Sequence, residues 1–198
     1  MKKILIIAAL VTGLVANLLN AEPIISAENL VKAANERTKS FVIYNGAYRK
    51  IAYPMGDVPE NIGVCTDVVI RSYRQLGIDL QELVHKDMKT NFAKYPKIWG
   101  LTRPDTNIDH RRVPNLETFF ERHGTVLKIS QNSTDYQPGD IVSWRLDNNL
   151  PHIGIVSDIK DERSGNYKLV HNIGMGPKLE DMLFDYKIVG HYRYFPES

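Results

Sequence analysis

The chain carries one cysteine, Cys65, within Gly63-Val64-Cys65-Thr66-Asp67-Val68-Val69-Ile70-Arg71. Here an irregular stretch gives way to an apolar period of a helix. A thiol on the first turn of a helix feels the partial positive charge of the helix N-terminus, which favours the thiolate. Gly63 permits close backbone approach, so the free N–H groups of that turn could face a substrate carbonyl. A depressed thiol pKa with backbone donors beside it is what acyl transfer through cysteine requires. Asp67, one turn on, suits the helix start but tends to raise the thiol pKa. The competing expectation for a free cysteine is a small hydrophobe filling a helix–sheet interface.

A thiol nucleophile needs a base, and the base needs an orienting group. His152 opens Pro151-His152-Ile153-Gly154-Ile155-Val156, and His171 lies in Leu169-Val170-His171-Asn172-Ile173-Gly174. Both segments read as strands. A turn centred between Asp161 and Glu162 would set the two histidines directly opposite on one face. Asn172 is an alternative third residue, but alternation puts positions 171 and 172 on opposite faces, so only one can serve. Asp109-His110-Arg111-Arg112 precedes a helix, and arginine pairs bidentately with carboxylates. Arg111 or Arg112 could thus meet a substrate carboxylate, with His110 and Asp67 as further candidate contacts, against a solvated loop with local ion pairs. His191 reads as a structural strand residue, and His85 and His123 as solvated helix positions. The six histidines show no metal-binding spacing, so neither a metal nor a cofactor is expected.

The elements that must position these groups run helices first, strands last. Helices are expected over 27–37, with Ser26 as N-cap, and from Cys65 to about Leu76, with Gly77 as the stop. A third follows an Asp79–Glu82 capping box and runs to about Phe92. After a long loop over 93–113, Pro114 starts a fourth, ended by Gly124. The period then changes to two. Strands are expected at Val126–Ile129, Asp140–Arg145, His152–Ser157, Tyr167–Asn172 and Lys187–Tyr194, with turns at Pro138-Gly139, Asn148-Asn149 and Ser164-Gly165-Asn166. Helices followed by hairpin-connected strands imply an α+β fold with an antiparallel sheet.

Lys2 and Lys3 precede an uncharged apolar run over 4–19 and a small residue, Ala21, before Glu22-Pro23. That is the pattern of a secretory signal peptide, too short and interrupted for a membrane span. Cleavage after Ala21 would leave a single domain over 22–198, a periplasmic or secreted protein without a membrane anchor. Of 25 Lys+Arg and 23 Asp+Glu, two positives lie in the leader, so the mature charge is 23 − 23 = 0. A neutral chain lacks the footprint of a nucleic-acid binder. One cysteine excludes an internal disulfide and a Cys-rich zinc site.

The series Tyr53-Pro54-Met55-Gly56, Cys65-Thr66, Pro138-Gly139-Asp140-Ile141-Val142, His152-Ile153-Gly154-Ile155-Val156 and Val170-His171 resembles, in order and spacing, the NlpC-type cell-wall peptidases. These are a permuted branch of the papain-like cysteine hydrolases. A closer resemblance, across nearly the whole mature chain, is to a family of exported bacterial proteins of unknown function. It is carried by Val-Cys-Thr-Asp-Val-Val-Ile-Arg, Asp-His-Arg-Arg-Val-Pro-Asn-Leu and Leu-Pro-His-Ile-Gly-Ile-Val-Ser-Asp. The resemblance implies a papain-like fold, Cys65 as nucleophile, His152 as base and His171 as third residue. It implies Tyr53 as the tyrosine assisting the oxyanion hole, and an amide bond of peptidoglycan stem peptides as substrate. Thr66 and Asp67 depart from the commoner Ser and Gly. Two other functions share the scaffold: a non-catalytic binder of wall fragments and a thiol acyltransferase.

Overall fold

The computed structural model describes residues 25–196. The expected leader, residues 1–21, lies outside the described residues. Four helices come first: α1 (Ala27–Arg37), α2 (Cys65–Arg74), α3 (Leu80–Asn91) and α4 (Val113–His123). Between α1 and α2 run two short strands, β1 (Ile43–Tyr44) and β2 (Ile62–Gly63). They pair in parallel, Tyr44 opposite Gly63. The remaining strands are β3 (Thr125–Val126), β4 (Ile141–Arg145), β5 (Pro151–Lys160), β6 (Tyr167–His171), β7 (Lys178–Glu180) and β8 (Lys187–Arg193). They form one sheet in the order β3-β8-β4-β5-β6-β7, antiparallel throughout. The chain is therefore an α+β protein with an antiparallel sheet.

Local chemistry sets the helix ends. The Ser26 hydroxyl accepts the Asn29 N–H at 3.2 Å, satisfying one free donor of α1. Asp79 caps α3 by accepting the Gln81 N–H at 3.0 Å. Glu82 does not close the expected capping box; it pairs with Lys86 at 2.8 Å. Gly77 follows α2 at φ 79°, a left-handed conformation that glycine adopts without a Cβ penalty. Gly124 ends α4 for a different reason. Its backbone is extended, and a Cβ there would lie 2.8 Å from the Arg193 carbonyl oxygen.

The sheet is covered on both faces. One face carries Ile141, Ile153, Ile155 and Val170, packed with Cys65, Val69, Tyr73 and Phe120 of the helices. The other carries Val142, Trp144, Val156, Leu169 and Ile188, covered by Tyr136 and by Met182 and Leu183. Trp144 donates its indole N–H to the Leu183 carbonyl at 3.0 Å. Burying each such aromatic or aliphatic side chain contributes about 1.5–3 kcal/mol. Helix α2 is buried over Cys65–Tyr73, as a helix enclosed on all sides must be.

The Pro138-Gly139 turn brings distant parts of the chain together. A Cβ on Gly139 would lie 3.1 Å from the Ala27 Cβ and 3.2 Å from the Phe195 ring. The β5–β6 hairpin departs from the expected register. Its ladder pairs Ile155 with Val170 and Val156 with Leu169, then shifts to Lys160 with Tyr167. The shift moves the partner of His171 from His152 to Gly154. A Cβ on Gly154 would indeed lie 3.1 Å from the His171 Cβ.

Candidate functional site

Cys65 is the first residue of α2, where the sequence pattern expects it. Helix α2 begins there because the Asp67 carboxylate accepts the Val64 N–H at 2.7 Å, one half of a capping box. The thiol is free and only 4 % exposed. Burial pushes its pKa up to about 12. Backbone hydrogen bonding from Ile153, Thr66 and Cys65 itself acts in the opposite direction, and the Asp67 charge adds to the rise. Burial thus outweighs the helix N-terminus, and the resting sulfur is a neutral thiol rather than the thiolate the sequence suggests.

His152 and His171 do come together. Their rings meet edge to face, with His152 Nε2 3.1 Å from His171 Nδ1. His171 Nε2 lies 3.1 Å from Glu180 Oε2 on β7. The pair is diagonal across β5 and β6 rather than directly opposite. A carboxylate only accepts, so the chain fixes the tautomers. His171 carries its proton on Nε2 and accepts at Nδ1. His152 then carries its proton on Nε2, leaving the Nδ1 lone pair free. Burial lowers the His152 pKa to about 3, with the His171 charge adding to the effect. Burial also lowers that of His171, against the pull of Glu180. Both rings are neutral near pH 7.

The sulfur and the histidine pair occupy neighbouring compartments. His152 lies opposite Trp144 in the β4–β5 ladder, 5.9 Å from its ring, on the face away from the helices. Ile153, the next residue, points to the helix side and packs with Cys65. The β5–β6 ladder stops at Ile155 and Val170. The Ile153 N–H lies beyond its end and meets the Cys65 sulfur instead. The thiol is therefore held one peptide unit from His152, while no hydrogen bond joins it to either ring among the described residues.

The tyrosine beside the thiol is Tyr44. Its hydroxyl hydrogen-bonds the Cys65 sulfur, and its pKa is raised to about 12 by burial and then by the charges of Cys65 and Asp67. Tyr53, the position expected from the family pattern, is elsewhere. It is 40 % exposed and packs edge-on against His85 of α3, ring centres 5.1 Å apart. Sequence reasoning missed Tyr44 because residues 39–63 carry no period. The parallel β1–β2 pair, which delivers Tyr44 to the start of α2, is only two residues long.

The expected substrate contacts Asp67, His110 and Arg111 serve the architecture. Arg111 grips Asp67 bidentately, Nε to Oδ1 and Nη2 to Oδ2, both at 2.8 Å, with both side chains buried. Thr66 donates to the Arg111 carbonyl at 3.1 Å. These bonds clamp a 3-10 turn, Asp109–Arg111, onto α2. His110 is 2 % exposed, and burial followed by the Arg111 charge lowers its pKa to about 3. Arg112 pairs with Asp109 at 3.0 Å and stacks on Trp99. His191 is a strand residue as expected. It is bound to Asp140 Oδ2 at 3.0 Å, with Arg193 Nε 2.7 Å from Asp140 Oδ1.

Asn172 stands on the helix side of the sheet, one residue beyond the end of β6. Its Oδ1 accepts the Gly174 N–H at 3.1 Å, while its buried Nδ2 has no partner. Among the described residues no group of three or more His, Cys, Asp and Glu side chains could hold a metal ion. No described helix is long and apolar enough to cross a membrane.

The sheet, the buried α2 and the thiol at its start define an α+β domain whose pattern is shared. The chain belongs to the family described as a domain of unknown function, DUF1287, which it matches over residues 31–194. It is similar to the uncharacterized protein YijF of Escherichia coli (strain K12), at 56% identity over 166 residues, covering 84% of this chain and 80% of that protein.

Proposed function

We propose that the protein is an exported thiol hydrolase that cleaves an amide bond through Cys65, on a scaffold of the NlpC-type papain-like kind. The proposed substrate class is the peptide of peptidoglycan. The observation that carries this reading is the chain His152–His171–Glu180, with both rings buried and the carboxylate partly exposed, which begins one peptide unit from the N–H group on the sulfur. It leaves the His152 Nδ1 lone pair as the base.

In this mechanism thiol and imidazole start neutral, and the ligand-bound state must bring His152 Nδ1 within reach of the sulfur while its Nε2 stays on His171. The thiol proton passes to Nδ1 as the sulfur attacks the carbonyl carbon. Glu180, through His171, stabilises the imidazolium that forms. The oxyanion is met by the Tyr44 hydroxyl and the N–H groups of the first turn. The imidazolium protonates the leaving amine, and water activated by the same ring releases the acid from the thioester.

The test is incubation of purified protein with digested sacculi. Cys65→Ala should abolish release of new amine termini, and His152→Ala should slow it by about 10²–10⁴. Hydrolysis retained by Cys65→Ala at an unchanged thermal midpoint would refute the mechanism. The enclosed, un-ionised sulfur favours a second reading, a binder of wall fragments without turnover. Saturable fragment binding with no product from the wild-type protein would establish it.

A further inference from the structure

A cleft opens beside the first turn of α2, lined by Arg37, Gly63, Val64, Asp67, Arg71 and Asn172 among others. Its charged walls are largely spoken for. Asp67 is held by Arg111. Arg71 is bound to Asp57 and to the carbonyls of Val58, Pro59, Glu60 and Ile62. Glu60 is an exposed carboxylate at the rim.

Two donors remain. Asn172 is 1 % exposed, and its Oδ1 is occupied by the Gly174 N–H. That bond fixes the amide's orientation, so the group left over is the Nδ2 donor, buried without an acceptor. Arg37, in the last turn of α1, has its Nε–H buried without an acceptor. No ion pair of Arg37 is found among the described residues. A buried donor without a partner loses its full hydration, and such a group calls for water, an ion or a ligand to complete it. The cleft is tight, with room in all for about one water-sized atom, so a carboxylate would enter it by one oxygen.

We infer that this cleft is a carboxylate-binding subsite, in which Arg37 and the Asn172 amide hold an acidic group of the ligand against the start of α2. Arginine supplies the charge and a planar fork, and the asparagine supplies a fixed neutral donor. The cleft borders Gly63 and Val64, immediately before Cys65. An acidic group held there would fix where the rest of the ligand lies relative to the thiol. Assigning the carboxylate to a substrate rests on the function proposed above, whereas the binding itself does not.

The experiment uses the mature chain carrying Cys65→Ala, so that no chemistry intervenes. Isotope-labelled protein is titrated with N-acetylglycine and, separately, with its neutral analogue N-acetylglycinamide. The Asn172 side-chain amide and the Arg37 Nε–H are followed by nuclear magnetic resonance. N-acetylglycine should shift both signals saturably, and the neutral amide should bind about tenfold more weakly or worse. Arg37→Gln and Asn172→Asp should each weaken N-acetylglycine by about tenfold at an unchanged thermal midpoint. Asn172→Asp keeps the acceptor for Gly174; should it fail to fold, Arg37→Gln decides. Equal binding of acid and amide, no saturable shift, or indifference to Arg37→Gln would overturn the inference. A failure here leaves turnover by Cys65 standing, and a failure of turnover leaves this binding result standing.

Discussion

The protonation state of Cys65 in the resting protein is open to direct measurement. A pKa near 12, against an ordinary value of 9.0, lowers the thiolate fraction at pH 7 by about three orders of magnitude. That corresponds to about 4 kcal/mol disfavouring ionisation. The assay is the alkylation rate with iodoacetamide from pH 6 to pH 10, read by intact mass, with guanidinium-unfolded protein as the reference. For the folded protein the rate should climb about tenfold per pH unit and show no plateau below pH 10. The unfolded protein should level off near the pKa of an ordinary thiol. The slope, rather than the absolute rate, is the readout, because steric shielding of a buried sulfur lowers the rate equally at every pH. A folded-state plateau below pH 7 would refute the reasoning: it would mean a preformed thiolate stabilised by an imidazolium. The neutral-pair mechanism would fall with it.

Asp67→Asn or Arg111→Met alone leaves one buried partner uncompensated and should lower unfolding free energy by about 3–5 kcal/mol. The double variant should lose less than the sum in a denaturant-monitored cycle. Tyr44→Phe removes the hydroxyl from the sulfur and should change the pH profile of Cys65 alkylation, whereas Tyr53→Phe should leave it unchanged. Buried His110 and His152 have folded pKa values of about 3, against about 6.5 when unfolded. Between those values the unfolded chain binds more protons, so stability should fall as pH drops from about 6.5 toward 3. His110→Gln should reduce that slope by one proton in urea unfolding series, and an unchanged slope would count against a neutral buried ring.

What the sequence makes legible is what rests on local periodicity. Cys65 at a helix start, the α1–α4 order and the antiparallel strands all follow from capping residues, turn glycines and the change of period. Alternation also puts His152 and His171 on one face. It does not say which face, because β5 reads Ile153-Gly154-Ile155-Val156, apolar on both sides of a sheet covered on both sides. The helix-side location of Ile153 and Cys65, with the rings on the Trp144 side, is a tertiary fact. Glu180 is illegible for a related reason: β7 has three residues and no pattern of its own. Asp67, His110 and Arg111 read as substrate contacts because arginine pairs with carboxylates; the carboxylate that Arg111 finds is that of Asp67. The Asp67–Arg111 ion pair across 44 positions is invisible to spacing. The free donors of Arg37 and Asn172 are a property of what the fold leaves unpaired, which no motif encodes.

The Gly139 turn, wedged between Ala27 and Phe195, gives the domain the character of a nearly closed ring. The first helix and the last strand's exit converge on one corner, so the order in which the segments are strung matters less to the architecture than their adjacency. A short flexible bridge across that corner, with new ends cut at the exposed Arg163–Gly165 tip of the β5–β6 hairpin, should preserve α2, its thiol and the histidine chain while rotating the reading frame of the whole fold.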